Sequence, residues 1–352
     1  MDELYRVPLA EFTRVRRRHL AIALAALVAV LSALWLHHLP AVPAPRPGLL
    51  GALASVVTPL ATDDPAADER DLEPLLPLFA NRRVVALGEA THGTREFFRL
   101  KDRLVRLLVQ RAGFTTFALE ISPEGAQAVG RYVRDGIGDP REALGHFEFW
   151  TWQTEELLAL AVWMRAWNAA HAGSHPVSFV GIDARPPARD ARMAQNVEGA
   201  LAAAGPQGRV IVWAHNGHVA TDPGSMGHYL RQSLGDSLYV LGLEFSEGRF
   251  RSRTFGGLCE HHVAAADAGY YAFTLARLSS PIVYLDFRSA AKAPLVAEWL
   301  AAPRRSRHID ELFYVRRVSE RWYSRSDPWL ELYDGVLFVR RTTAARGLFG
   351  HP

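Results

Sequence analysis

Acids and histidines recur at one kind of position in this 352-residue chain, just after short apolar runs. The run at 84–87 is followed by Gly88-Glu89-Ala90-Thr91-His92-Gly93, and the run at 115–119 by Glu120. The run at 177–182 is followed by Asp183, and the run at 210–214 by His215, with Asn216 and His218 beyond it. A carboxylate beside an imidazole can orient the ring and fix its tautomer, which equips the ring to take a proton from water. The nitrogen and oxygen donors of Glu89, His92, Glu120 and His215 would equally suit zinc, manganese or cobalt. Taken singly, each has an ordinary role, a strand-end acid capping the next helix or a histidine packed for bulk. Taken together they favour a site, because separate segments would otherwise place ionisable groups at equivalent ends by chance. Asp183, shortly before Pro186 and Pro187, reads equally well as a turn residue.

Lys101 is one of two lysines in a chain whose other cations are arginines. It lies four residues after Phe97 and four before Val105, on or beside the apolar face of a predicted helix. A cation on that side needs a carboxylate or a ligand, unless its stem snorkels to water; the two readings stand level. Other chemistries lack their signatures. There is no Gly-x-Ser-x-Gly elbow, no phosphate-binding loop and no dinucleotide fingerprint. The single cysteine, Cys259, permits no intrachain disulfide and no thiolate zinc site. What remains is water activated by a base or by a metal.

The elements that must position these groups are short buried strands alternating with helices. Strands are predicted over 84–87, 115–119, 177–182, 210–214, 238–243, 282–287 and 335–339. Helices are predicted over 97–110, 155–168 and 189–204, with Thr154 capping the second. That alternation implies an α/β layer fold with a largely parallel sheet. In such sheets ligands bind beyond the C-terminal strand ends, where the acids and histidines fall.

The N-terminus reads differently. Residues 20–36 are apolar apart from Ser32, follow Arg16-Arg17-Arg18-His19, and precede Pro40, Pro43, Pro45 and Pro47. This is the short end of a membrane span. Val42-Pro43-Ala44 carries small residues near a possible cleavage point, but Pro45 disfavours processing. The expected organisation is a basic cytoplasmic segment at 1–19, a transmembrane signal anchor at 20–39, a Pro-rich linker at 40–54 and a catalytic domain at 55–345. By the positive-inside rule that domain lies outside the cytoplasm, in a single-pass cell-membrane protein. The formal net charge of +3 comes mostly from residues 1–19, so nucleic-acid binding has no electrostatic footprint.

Several ordered motifs resemble those of the erythromycin esterase family. They are Leu87 through Gly93, Glu96-Phe97-Phe98 with Lys101, residues 113–120, residues 150–155, and Trp163-Met164-Arg165 with Asn168. Arg189-Asp190 with Met193-Ala194 and Asn196, residues 214–218, Met226-Gly227 and residues 333–338 follow in order. The resemblance spans roughly residues 55–345. It implies a three-layer α/β/α fold with a mixed, largely parallel sheet and a helical insertion beside the cleft. It also implies hydrolysis of an ester or lactone with His92 as base, no covalent intermediate and no cofactor. The family's important acids fall on Glu89 and Glu120, its second histidine on His215 with His218 nearby, and its basic positions on Lys101 and Arg189. Trp150 and Trp152 could wall an apolar substrate cleft. The substrate would be a small-molecule or glycan ester, since some family members are tied to succinoglycan biosynthesis. Alternatives on the same fold are a metal-dependent hydrolase or protease and a haem- or polysaccharide-binding non-enzyme.

Overall fold

The computed structural model describes residues 46–172, 176–314 and 320–349. The strands, in chain order, are β1 (Thr58–Pro59), β2 (Val84–Leu87), β3 (Thr116–Leu119), β4 (Ser178–Gly181), β5 (Val210–Trp213) and β6 (Leu238–Thr254). They continue as β7 (Gly257–Val263), β8 (Ile282–Asp286), β9 (Arg304–Arg307), β10 (Ser324–Asp327) and β11 (Gly335–Thr342). Nine of them form one sheet in the order β1-β8-β11-β6-β2-β5-β3-β4, with β7 paired to β6; β9 and β10 pair separately. From β11 to β4 every neighbouring pair is parallel, while β8, β1 and β7 join antiparallel. The sheet is therefore mixed and largely parallel.

Alternation along the strands builds a core on each face of the sheet. Val85, Leu87, Ile211 and Trp213 point to one face, which the helices Arg95–Ala112, Pro123–Asp135 and Glu155–Ala170 cover. Val84, Ala86, Val210 and Val212 point to the other, against Arg189–Ala203 and Met226–Leu234. Burial on both faces is why these strands read as continuous apolar runs. The β3–β4 crossover carries the helical elements beside the cleft: Pro123–Asp135, Pro140–Gly145, the 3₁₀ turn Trp150–Trp152 and Glu155–Ala170. Thr154 caps the last of these, its hydroxyl accepting from Leu157 N at 3.2 Å.

The folded unit is longer at both ends than the expected 55–345. Leu49–Ala54, expected to be linker, is a helix that buries Leu49 and Leu53. Past residue 345, Leu348 is buried and its N–H donates to Gln153 O at 3.0 Å. Strand β6, expected over 238–243, runs on to Thr254 because ladder pairing with β7 and β11 carries its polar second half. The anchor expected at 20–39 lies outside the described residues. Among the described residues no helix is long and apolar enough to cross a membrane.

Candidate active site

Register brings the strand-end residues to one edge. Leu87 of β2, Trp213 of β5, Leu119 of β3 and Gly181 of β4 are successive partners across the sheet. Glu89, His215, Glu120 and Asp183 follow them by one or two residues, so the four expected acids and histidines share a strand-end row. The loop after β2 is packed too closely for side chains at its glycines. A Cβ on Gly88 would lie 2.2 Å from Asn216 Oδ1, and one on Gly93 would lie 1.9 Å from Arg251 O. Asn216 ties the loop down: its N–H donates to Glu89 O at 2.8 Å, and its side chain donates to Leu243 O and accepts from Leu243 N.

Glu89 is fully buried and both of its oxygens are engaged. Oε1 lies 2.7 Å from His92 Nδ1. Oε2 accepts from Lys101 Nζ and from Trp213 Nε1, the latter at 3.0 Å. Lys101 has no exposed surface, and its ammonium sits 4.1 Å from the centre of the Trp213 ring. Burial pushes the Lys101 amine down to about 8 against the pull of Glu89. Lys101 thus points inward, as one of the two sequence readings had it. It serves Glu89 from below and does not reach the cleft, so it cannot touch a substrate.

His92 turns Nδ1 to Glu89 and Nε2 towards the cleft, where Asp310 Oδ1 lies 3.7 Å away. Burial opposes the imidazolium, but the Asp310 carboxylate facing Nε2, the hydrogen bond to Glu89 and the charge of Glu120 carry the ring up to about 10. The same contact with His92, against the effect of burial, holds Asp310 well below the usual carboxylate range.

Glu120 organises a second, more open cluster. Oε1 lies 3.1 Å from His218 Nε2 and accepts from Arg189 Nη2 at 3.1 Å, while Oε2 accepts from His215 N at 2.8 Å. Arg189 is gripped by Asp183, Nε at 2.7 Å and Nη2 at 2.9 Å, and His218 Nδ1 lies 2.7 Å from Asp190 Oδ1. Burial works against charge on Glu120, yet His218, His92 and Arg189 hold it well below the ordinary range. Glu120 and Asp190 likewise outweigh burial at His218 and raise it to about 10. Asp183 is therefore a member of the site, as the guanidinium's clamp.

His215 is buried, with Nε2 3.2 Å from Ile309 O and Nδ1 accepting from Gly217 N at 3.2 Å. That pairing is satisfied by the neutral ring. Burial, with His308 and His92 nearby, keeps it neutral by pushing its pKa well below the usual histidine value. Its ring stands 5.0 Å from that of His92. Trp152 joins the two clusters: its ring meets His92 edge-on at 5.4 Å, and Nε1 donates to Glu120 O at 2.9 Å. It also lines a cleft of about 840 Å³ whose wall includes His92, Glu120, Asp183, Arg189 and Asp310. Trp150 does not line it. In a 3₁₀ turn residues two apart face about 240° apart, and Trp150 is buried away from the cleft beneath the Arg251 guanidinium.

Glu89, His92, Glu120 and His215, the donors of the metal alternative, do not converge on a common point. Apart from His92 Nε2, which faces Asp310 and the cleft, their polar atoms meet N–H groups, a carbonyl and cations instead, and among the described residues no three His, Cys, Asp or Glu side chains form a metal-holding group. Four members of the site received no role from the sequence. Trp213 lies one residue before the end of the predicted strand 210–214 and Asp190 adjoins Arg189, so both had a positional signal. Asp310 and His308 lie in a polar stretch after β9 that carries none.

The erythromycin esterase family model matches residues 109–187 and 184–342. These ranges begin after the Gly88–Gly93 loop. Over 125 residues the chain is 34% identical to the protein named erythromycin esterase type II of Escherichia coli, a stretch that is 36% of this chain and 29% of that one. In fold it is similar to a solved succinoglycan biosynthesis protein, with a TM-score of 0.72 at 21% identity, covering 85% of this chain and 98% of the other. A mutant erythromycin esterase in its open conformation aligns with a TM-score of 0.58 at 13% identity, covering 84% and 96%.

Proposed function

The chain belongs to the erythromycin esterase family, and from that footing we propose that it is a hydrolase cleaving a carboxylic ester or lactone, with His92 as base and no covalent intermediate. The observation that carries the proposal is the 2.7 Å contact between Glu89 and His92 Nδ1, which leaves Nε2 facing the cleft. A buried carboxylate on Nδ1 fixes the tautomer that offers its lone pair at Nε2 and steadies the imidazolium once it forms. In the neutral form of the ring, whose share grows as pH rises towards about 10, water loses a proton to Nε2 as its oxygen bonds to the acyl carbon. Arg189, which lines the cleft, offsets charge gathering on the carbonyl oxygen. Collapse of the tetrahedral intermediate breaks the bond to the alkoxy oxygen, and Nε2 returns the proton to that leaving group. The products are an acid and an alcohol. Lys101 and Trp213 hold the Glu89 carboxylate aligned.

A cleft of about 840 Å³ is of a size for a small molecule or for part of an acylated glycan. The decisive experiment screens the purified full-length chain against macrolides, simple esters and acylated glycans, with and without chelator. Chelator-resistant ester cleavage is expected. Loss of all turnover on chelation, or haem binding with a Soret band and no turnover, would refute the proposal.

We also propose that residues 20–39 anchor the protein in the membrane with the catalytic domain outside the cytoplasm. The support is the arginine cluster at 16–18 and the apolar run after it. A reporter fused after Pro352 should register a non-cytoplasmic location, and a fluorescent, phosphatase-silent fusion would overturn the topology.

A further inference from the structure

Asp310 reaches the His92 ring from the side opposite Glu89, and it comes from outside the strand-end row. Its segment lies along the Gly88–Gly93 loop: Ile309 N donates to Ala90 O at 2.8 Å, and Thr91 and Ile309 form an isolated parallel bridge. One residue past Asp310 the segment is tied to β6, with Arg253 N donating to Glu311 O at 2.9 Å and Phe313 N to Arg253 O at 2.9 Å. Between these ties Oδ1 accepts from Glu311 N at 2.8 Å, which orients the carboxylate. The side chain is 71% exposed, lines the cleft, and stands at the one ring edge that Glu89 leaves available. A gap of 3.7 Å to Nε2 is too long for a direct hydrogen bond. It is short enough for one oxygen atom, set off the line on the cleft side, to bond both.

We propose that Asp310 orients the hydrolytic water, accepting one of its hydrogens while the other passes to His92 Nε2. This rests on the hydrolase reading above. In the step, water forms the new C–O bond through an oxygen lone pair, gives one proton to Nε2, and keeps the second hydrogen directed at Asp310. The groups around the ring are Glu89 backed by Lys101, Glu120 after β3, His215 and His308 behind it, and Asp310. Among the described residues only Glu89 and Asp310 stand at its nitrogens, and of these Asp310 alone lines the cleft. The negative charge of Asp310 also favours the imidazolium, consistent with the raised proton affinity of the ring.

The test compares Asp310→Asn and Asp310→Glu with the wild type. Asparagine keeps the acceptor for Glu311 N and the side-chain volume, so folding is preserved while the charge is removed. Asp310→Asn should lower kcat about tenfold or more. It should move the acidic limb of kcat/KM, and the His92 midpoint followed by histidine NMR, down by about one pH unit. Asp310→Glu should return the limb towards the wild-type position. An unchanged His92 midpoint together with an unchanged rate overturns the proposal. If no ester is cleaved by any form, a lowered midpoint in Asp310→Asn retains the Asp310–His92 coupling while the hydrolase reading falls. An unchanged midpoint in that case removes both.

Discussion

Glu89 and Glu120 are the same residue type at matching strand ends, on the two strands that flank β5, yet their surroundings diverge. Glu89 has no exposed surface, and its cation, Lys101, has none either. Glu120 is 5% exposed, and one of its partners, the Arg189 side chain, is 34% exposed to the cleft. In the proposed mechanism the sealed pair holds the base in place from below, while the open pair presents a guanidinium at the cleft wall. Depth accounts for the difference. An ammonium under Glu89 is screened by nothing and can only fix its carboxylate, whereas a cation at the cleft wall is free to meet an incoming oxygen.

The sharpest way to break this comparison is at the base that the sealed cluster serves. His92→Ala should reduce kcat/KM by about 10² to 10⁴-fold with the far-UV spectrum intact. Turnover near the wild-type rate would end the claim that the Glu89 cluster carries the chemistry.

Next in size is the sealed pair itself. Lys101→Met leaves the buried Glu89 carboxylate with the His92 ring as its one cation, which should cost up to about 3–5 kcal/mol in chemical denaturation. With Lys101 gone, Glu89 holds the His92 proton more firmly, so activity should fall and the acidic limb of kcat/KM should move up. Lys101→Arg should retain part of the activity, limited by the fully packed site. Adding Glu89→Gln to Lys101→Met should recover part of the lost stability, because the buried carboxylate is gone and the His92 ring is free to shed its proton. A double variant less stable than Lys101→Met would show that the pair is not the source of the cost.

The open pair should respond more weakly in stability and more selectively in kinetics. Arg189→Lys keeps the charge but loses the fork to Asp183 and Glu120. A stability loss of about 1 kcal/mol or less is expected, with a kcat reduction of roughly tenfold if the guanidinium meets the carbonyl oxygen. A kcat equal to wild type would confine Arg189 to a structural part.

A further effect is expected in the pH dependence of stability. His92 and His218 hold protons up to about 10 in the folded chain against an ordinary value of 6.5. Their contribution is complete below pH 6.5 and is lost as pH rises through about 10. Lys101, held at about 8 against 10.5, acts in the opposite sense, its unfavourable charge being relieved between those values. Stability should therefore fall between pH 6.5 and 8, where the imidazoles, and up to about 7 the buried Glu244 carboxyl, hold protons that the unfolded chain has lost. His218→Asn should flatten that fall, and an unaltered slope in thermal melts would contradict the placement of His218 between Glu120 and Asp190.

The sequence by itself determined the parallel heart of the sheet, because strands buried on both faces must be apolar at every position, as 84–87 and 210–213 are. It also determined that Glu89, Glu120, Asp183 and His215 share an edge, since parallel strands present their C-terminal ends together. It left open whether Lys101 pointed in or out, because helical periodicity gives a face but not the partner waiting there. Tertiary structure decided that, through a carboxylate and an indole from β2 and β5. It also decided that Trp152 faces the cleft while Trp150 does not, as a 3₁₀ turn separates them. The long polar half of β6 and the arrival of Asp310 at His92 Nε2 depend on backbone pairing between distant segments. Such pairing is made by N–H and C=O groups that every residue carries, so it leaves no trace in the order of side chains.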